Sequence, residues 1–197
     1  MKNLLLLTNI LFLLFSCNKK EEKTKAVQKP EKEFIEDSLI YEVVNAVLEM
    51  PEIKKDSAKY MLNAASTFHF DLGMNGDEFY HSAEKYFGEI DTIAIENQIK
   101  KSRYSYYQKG KINNIELIGY DFINTKTQEQ FDSLNQSIKK YLPYITVGFP
   151  IFNKEKDVAF ISYHYECGFL CAYSKKFFIK KINGKWEIIL VYDESIS

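Results

Sequence analysis

The segment DVAFISYHYECGFLCAYSKKFFIKKINGKWEIILVY, residues 157–192, decides the fold. It contains three runs rich in β-branched and aromatic residues, joined by two short connections. Asn183-Gly184 is the strongest short hairpin signal, because a type I′ turn requires positive φ at both central residues. With the apolar run before it, the segment predicts an antiparallel β-meander. The predicted strands are Tyr144–Phe149, Asp157–Cys167, Cys171–Ile182 and Lys185–Tyr192.

The two turns fix the register of this meander and, through side-chain alternation, its two faces. The predicted pairs are Ile182 with Lys185, Phe177 with Leu190, Ser174 with Asp193, Cys167 with Cys171, and His164 with Ser174. The predicted core face carries Ile161, Tyr163, Tyr165, Phe177, Ile179, Trp186, Ile188, Leu190 and Tyr192. The other face is polar near the first hairpin, at Ser162, His164, Glu166, Ser174, Lys176 and Asp193, and apolar farther away, at Phe160, Phe178, Ile189 and Val191.

The row of His164, Ser174 and Asp193 invites comparison with a hydrolytic triad, in which the imidazole contacts both other groups. Here the serine stands in the middle, and the histidine and aspartate are two strand spacings apart, about 9–10 Å. Glu166 lies about 6.5–7 Å along the strand from His164, too far for contact by backbone spacing alone. We therefore expect no catalytic residues and interpret Ser162, His164, Glu166 and Ser174 as a polar patch.

The remaining chain predicts helices packed on one side of the meander, which makes the fold class α+β. Leu39, Val43, Val47 and Met50 recur at helical spacing, and Pro51 closes this helix. Asp91 is a predicted N-cap. The other predictions are a weaker helix within Pro51–Ala65, a strand at Thr67–Leu72 with a turn at Asn75-Gly76, strands at Arg103–Tyr107 and Ile112–Phe122, and a helix at Thr127–Leu142.

The N-terminus has the pattern of an export signal. Lys2 precedes an apolar run, Leu4 to Phe15, which ends at Ser16-Cys17. A basic start, a short apolar core and a small residue before the cleavage site are the parts of a secretory signal, here residues 1–16. The run is also shorter than the roughly 20 apolar residues that a membrane-spanning helix needs.

Leu14-Phe15-Ser16-Cys17 resembles the lipobox of bacterial lipoproteins of the Bacteroidota type. This resemblance implies that Cys17 is acylated and becomes the new N-terminus. Lys20-Glu21-Glu22 is similar to the short signal that sends such lipoproteins to the cell surface, so the expected location is the outer membrane. The surface is the first expectation, and the periplasmic face is the alternative.

Residues 17–33 form a predicted tether between the lipidated cysteine and a single domain at 34–197. The segment after Cys17 is mostly Lys, Glu, Thr and Gln, and it cannot bury enough apolar surface to fold. The whole chain has 26 basic and 27 acidic residues, without the basic excess of a nucleic-acid-binding protein. The basic, aromatic stretch around Tyr104, Tyr106 and Tyr107 could stack on single strands, but export excludes nucleic acid as a partner.

Cys167 and Cys171 predict a structural disulfide. Opposed residues of an antiparallel pair have Cα atoms about 4.5–5.5 Å apart, within the range that a disulfide bridges. Such a bond persists outside the cytoplasm, although its short ring limits the stabilisation to about 2 kcal/mol. Free thiols and redox chemistry are the alternatives. His69, His81 and His164 are scattered along the chain, and we expect no metal and no cofactor.

The C-terminal third resembles a pattern of uncharacterised Bacteroidota lipoproteins. The residues that carry the resemblance are Phe149–Asn153, Tyr163–Cys171 and Asn183–Trp186. It implies no activity and no site residue. The closing strands are also similar to the end of NTF2-like domains, which gives a cone of that type as the alternative fold.

These features predict a membrane-anchored binding module that contacts the bilayer through acylated Cys17 and recognises a protein or another envelope component. A toxin-neutralising immunity or inhibitor lipoprotein is one alternative. A hydrolase of unfamiliar type, using His164, Glu166 and Ser174, is the other.

The first test concerns the anchor. In the Cys17→Ala variant we expect no fatty-acid label and loss of the protein from the membrane fraction, because the acyl chains supply the membrane affinity. The measurement is radiolabelled fatty-acid incorporation together with fractionation of cells. A variant that still sediments with membranes would place the anchor elsewhere in the chain.

Overall fold

The computed structural model describes residues 33–53, 58–65, 72–119, 143–168 and 171–196, without the side chains of 72–78 and 168. The predicted signal, Cys17 and all but the last residue of the tether lie outside these ranges. So do the predicted helix at Thr127–Leu142 and the predicted strand at Thr67–Leu72, apart from Leu72. Among the described residues, no helix is long and apolar enough to cross a membrane.

Helix α1, Ser38–Glu49, confirms the first predicted helix. The Asp37 side chain caps it by accepting a hydrogen bond from the Leu39 amide at 2.9 Å. The stripe at Val43, Val44 and Val47 is fully buried. The apolar stripe and the end of the helix before Pro51 are therefore as predicted, and the Asp37 cap is a feature that the sequence analysis did not predict.

Helix α2, Leu72–Phe87, contains Asn75-Gly76, so the predicted turn at that pair is wrong. Phe79, Ala83 and Phe87 follow at helical spacing, and all three are buried. Glycine and asparagine disfavour a helix by only about 1 kcal/mol each, whereas burying a phenylalanine side chain contributes about 1.5–3 kcal/mol. Packing of the later turns therefore outweighs the local turn signal.

Helix α3, Thr92–Ser102, confirms the predicted helix after Asp91. The Asp91 side chain accepts a hydrogen bond from the Ala94 amide at 2.9 Å. Ile95 and Ile99 are buried one turn apart. Lys100 and Lys101 lie in the last turn, where positive charge complements the helix dipole.

The strands form a two-stranded parallel ribbon, β1 with β3, and a mixed sheet with the order β4-β2-β5-β7-β8-β9. Short β6 also pairs with β7, beyond the end of β5. The bounds are β1 Glu33–Phe34, β2 Tyr60–Leu62, β3 Ser105–Tyr106, β4 Glu116–Ile118, β5 Tyr144–Val147, β6 Ile151–Phe152, β7 Val158–Gly168, β8 Cys171–Ile182 and β9 Lys185–Ile196.

The predicted meander is confirmed, because β5, β7, β8 and β9 are successive antiparallel neighbours. The weaker helix predicted within Pro51–Ala65 is wrong for the described part of that range, residues 51–53 and 58–65. Tyr60–Leu62 is a strand that pairs in parallel with both β4 and β5. A three-residue strand is too short for its alternation to be recognised, and two sheet neighbours supply the hydrogen bonds that hold it.

The register beside Asn183-Gly184 is confirmed, but two bulges in β9 change it farther along. The extra residues are Ile189 and Tyr192. Leu190 consequently pairs with Phe178, and the predicted pairing of Phe177 with Leu190 is wrong. The Tyr192 ring packs 6.4 Å from the Phe178 ring. Leu190 and Tyr192 were predicted on the core face, but they lie on the opposite face. Their burial against an aromatic cluster there is stabilising.

Helices pack on both faces of the sheet and not on one side as predicted. Glu42 of α1 bonds Trp186 and Lys181, on the face that also carries Phe177 and Ile179. On the opposite face, Phe79 and Phe87 of α2 pack against Phe178, with ring centroids 6.2 Å and 5.4 Å apart. The fold remains α+β, with its core divided between two layers.

Glu42 joins α1 to the second hairpin. Its carboxylate accepts a hydrogen bond from the Trp186 indole at 2.9 Å and pairs with Lys181 at 2.6 Å. The Lys181 hydrogen bond, the bond from Trp186 and the lysine charge lower the Glu42 pKa, against a smaller opposing effect of burial. A lowered folded-state pKa means stability that is present above the unfolded pKa and lost as the pH falls through the folded value.

We therefore expect Glu42→Gln to unfold more easily than the parent at pH 7, and this difference to shrink as the pH falls below about 4. The amide oxygen of the substituted side chain can still accept the Trp186 hydrogen bond, so the change isolates the charge. The measurement is the free energy of unfolding against pH, with Glu49→Gln on the exposed side of α1 as the control. A difference that stays constant with pH would contradict this account.

Candidate functional site

The residues of the predicted polar patch line one open pocket of about 410 Å³ on the sheet. Its floor is formed by β5, β7, β8 and β9 near the first hairpin. The side chains predicted for this face are all present around it, and they are joined by residues that the sequence did not single out. The lining is Leu62, Tyr144, Thr146, Ser162, Tyr163, His164, Glu166, Ser174, Lys176, Asp193 and Ser195.

Strand pairing arranges these side chains in two parallel rows across the sheet. The first row runs from Thr146 through His164 and Ser174 to Ser195. The second row runs from Gly148 through Ser162 and Lys176 to Asp193. The pairing of His164 with Ser174 is confirmed. The pairing of Ser174 with Asp193 is wrong, because the two extra residues of β9 move Asp193 opposite Lys176.

Two bulges displace the pairing by two residues in total, and a two-residue displacement returns each side chain to its original face. Asp193 therefore stays on the polar face although its partner changes. Ser195 arrives opposite Ser174, and their hydroxyl oxygens are 2.7 Å apart. The sequence missed Ser195 because the apolar alternation of β9 ends at Tyr192, three residues earlier.

The charged side chains of the pocket are paired. The Lys176 ammonium donates to the Asp193 carboxylate at 3.0 Å. The Tyr144 hydroxyl donates to the Glu166 carboxylate at 2.7 Å. His164 Nε2 lies 3.6 Å from the same carboxylate. The prediction that His164 and Glu166 stand too far apart is wrong, because both side chains lean along the strand toward each other.

The three residues of the considered triad have three different partners. Within the described residues, Ser174 bonds Ser195, Asp193 bonds Lys176 and His164 contacts Glu166. No contact between the imidazole and the Ser174 hydroxyl is present among them. A serine nucleophile needs its base within hydrogen-bond reach, so the arrangement lacks the link on which such chemistry depends.

Helix α2 determines where the pocket begins. The apolar end of this face, at Phe160 and Phe178, is covered by Phe79, whose ring lies 5.1 Å from that of Phe160. The polar end stays accessible, with the His164 side chain 40% exposed. One sheet face therefore serves as core along half of its length and as a pocket along the other half.

Tyr107 fixes the corner between β5 and β6, directly behind the pocket. Its buried hydroxyl donates to the Gly148 carbonyl at 3.1 Å and lies 3.3 Å from the Val147 carbonyl. Burial raises the pKa of this phenol well above its ordinary value, so it stays protonated and keeps donating. The sequence did not predict these hydrogen-bonding roles of Tyr107 and Tyr144, because their partners lie about 40 and 22 residues away along the chain.

Cys167 and Cys171 close the hairpin beside the pocket. Their Cα atoms are 5.2 Å apart, and their sulfur atoms are at bonding distance. The predicted direct opposition is wrong, since Gly168 pairs with Cys171 and Cys167 occupies a bulge. The bulge shortens the turn and still brings the two side chains together. His69 lies outside the described residues, among which no three His, Cys, Asp or Glu side chains gather at a metal site.

No known protein family matches this sequence, and no curated protein or solved structure is significantly similar to it.

Close packing of Gly148 against Ser162 gives a test of the pocket floor. A Cβ added at 148 would collide with the Ser162 hydroxyl oxygen but would meet the Ser162 Cβ at an ordinary 3.5 Å. We expect Gly148→Ala to lower the free energy of unfolding by about 1–3 kcal/mol, as overpacking does. Adding Ser162→Ala should restore most of this loss, because it removes the colliding oxygen.

The measurement is a double-mutant cycle by denaturant unfolding, with Ser162→Ala alone as the reference. Additive effects of the two changes would show that residues 148 and 162 do not face each other.

Proposed function

We propose that this protein is an exported lipoprotein that binds a hydroxyl-rich component of the cell envelope in the sheet pocket. The secretory pattern of residues 1–16, the resemblance of Leu14–Cys17 to a lipobox, and the charged tether support the anchoring part of this proposal. The proposed location is the outer membrane, with the surface as the first expectation and the periplasmic face as the alternative.

The pocket is the observation that carries the binding part. Five of its lining residues carry hydroxyl groups on the pocket face, namely Tyr144, Thr146, Ser162, Ser174 and Ser195. Each hydroxyl can donate one hydrogen bond and accept others. A ligand with closely spaced hydroxyls, such as a saccharide, has the same dual capacity and could satisfy several of them at once.

The charge of the pocket favours a ligand without negative charge. Glu166 and Asp193 contribute two carboxylates against the single ammonium of Lys176, which Asp193 already pairs. An added anion would lie among more carboxylates than ammonium groups, and like charges at contact disfavour binding. A neutral saccharide avoids this repulsion and can exchange hydrogen bonds with both charged pairs.

A volume of about 410 Å³ lies within the range of small-ligand sites, which is about 300–1,000 Å³. The proposed ligand therefore occupies the pocket with a short saccharide unit, and the rest of a longer chain would extend into solvent.

The Cys167–Cys171 bond would support this site outside the cytoplasm. It lies next to Glu166 in the chain and closes the end of the hairpin on which His164 and Ser174 stand. We propose a structural role, in which the bond limits the movement of the hairpin end and keeps Glu166 near Tyr144.

Two lysines of β8 provide a matched test of the binding site. Lys176 and Lys180 lie on the same face of the same strand, each beside an aspartate, but only Lys176 lines the pocket. Replacing Lys176 by alanine should weaken saccharide binding by about tenfold or more, since it removes a charge-assisted donor. Lys180→Ala should leave binding unchanged.

The measurement is the affinity for envelope saccharides identified on a glycan array, with circular dichroism to verify folding of both variants. Equal binding by Lys176→Ala and the parent would contradict the proposed site. Recovery of a secreted protein toxin and no saccharide would support the immunity alternative, and turnover of the bound saccharide abolished by His164→Ala would support the hydrolase alternative.

A further inference from the structure

We propose that the domain rests on the bilayer through an anchor-side surface formed by Phe34, Lys100, Lys101, Arg103 and Tyr104, and that anionic lipid headgroups are its partner. This inference rests on the proposed lipid anchor. It adds an orientation, because a tethered domain without such a surface would tumble freely above the membrane.

Two exposed aromatic side chains form the apolar part of this surface. Phe34 is 54% exposed and Tyr104 is 47% exposed. They lie on adjacent segments, since the Glu33 amide donates to the Tyr104 carbonyl at 3.0 Å, next to the pairing of β1 with β3. Aromatic rings of this kind are enriched at the level of lipid headgroups.

The basic part comes from the last turn of α3 and its C-cap, directly before Tyr104 in the chain. Lys100 and Lys101 are more than half exposed, and Arg103 is also exposed. Their carboxylate contacts are long, 3.6 Å from Lys100 to Glu96 and 3.9 Å from Lys101 to Glu33. Solvated pairs at such distances are weak, so these cations can contact lipid phosphates at little cost.

The chain itself brings this surface to the membrane. Phe34 follows directly after the proposed tether, and Glu33 of β1 joins that tether to the Tyr104 segment. As the flexible tether that their composition predicts, the 16 residues from 17 to 32 would span about 20–24 Å. Acylation of Cys17 would therefore hold the anchor-side surface near the headgroups at a high effective concentration.

Packing of the neighbouring tyrosines argues against the same stretch acting as a stacking platform. Tyr107 is buried and Tyr106 is half-buried, so Tyr104 is the exposed ring of the three. Successive bases need successive exposed rings. A headgroup layer needs only shallow contact from a few rings and cations.

Single tryptophans can report which surface faces the lipid. The chain has one tryptophan, Trp186, which is buried and provides a constant background. We would introduce Phe34→Trp and Tyr104→Trp separately. Ile93→Trp is the matched control, because Ile93 is 71% exposed. It lies in the first turn of α3, about 15 Å along the helix axis from the last turn, which precedes Tyr104.

The chain from Cys17 onward is coupled through this thiol to a maleimide lipid in vesicles of phosphatidylethanolamine and phosphatidylglycerol, with or without brominated acyl chains. Coupling supplies the tether whether or not cells acylate Cys17, so this experiment can fail independently of the fatty-acid test. We expect bromine to lower the emission from positions 34 and 104 about twofold, as for rings at the interface, and to leave position 93 at the background.

Equal quenching at positions 34, 93 and 104, or none at any of them, would overturn the proposed orientation. The charge contribution is tested by adding Lys101→Gln and Arg103→Gln to the Tyr104→Trp protein. Quenching should be weaker in this variant than in the Tyr104→Trp protein. It should also be weaker in the Tyr104→Trp protein itself when neutral phosphatidylcholine replaces phosphatidylglycerol. Quenching that is the same after both changes would overturn the choice of anionic headgroups as the partner.

Discussion

The two extra residues in β9, Ile189 and Tyr192, are the constraint on which the arrangement of the site depends. One bulge alone would turn every later side chain of β9 to the other face. The first therefore lets Leu190 join Phe178 in the aromatic cluster, and the second returns Asp193 and Ser195 to the polar row. Bulges also increase local twist and interrupt the regular outer edge of a long strand.

Division of a single sheet face explains how a protein of this size has both a core and a pocket. Helix α2 places Phe79 and Phe87 over the apolar end, and the polar end, on the hairpin that carries His164 and Ser174, holds the pocket. The opposite face is closed by α1, which frees the polar end from any role in burying the core. Its charges are held by partners within the pocket, so they remain ordered without being fully desolvated.

Short sequence patterns predicted the caps and turns that depend on residues close together in the chain. Asp91 acts as a cap, Pro51 follows the end of α1, and Asn183-Gly184 forms its turn. The sequence could not predict the bulges, because they depend on the fit of β9 to the aromatic cluster. The sequence also did not predict that α2 includes Asn75-Gly76, because that outcome depends on packing of the later turns of the helix against the sheet. The neighbours of the patch on β5 were also missed, because no two-residue hairpin turn joins β5 to β7, and their register leaves no mark in the alternation of either strand.

Placement of the polar row on β8 and β9 is the central claim, and cross-linking tests it most directly. Opposed residues have Cα atoms about 4.5–5.5 Å apart, which a disulfide can span, whereas diagonal neighbours are about 7–8 Å apart. We predict that oxidation links the Ser174→Cys/Ser195→Cys protein completely and the Ser174→Cys/Asp193→Cys protein poorly, as measured by peptide mass spectrometry. Preferential linking of residues 174 and 193 would mean that the bulges are absent, and would contradict the account of the pocket.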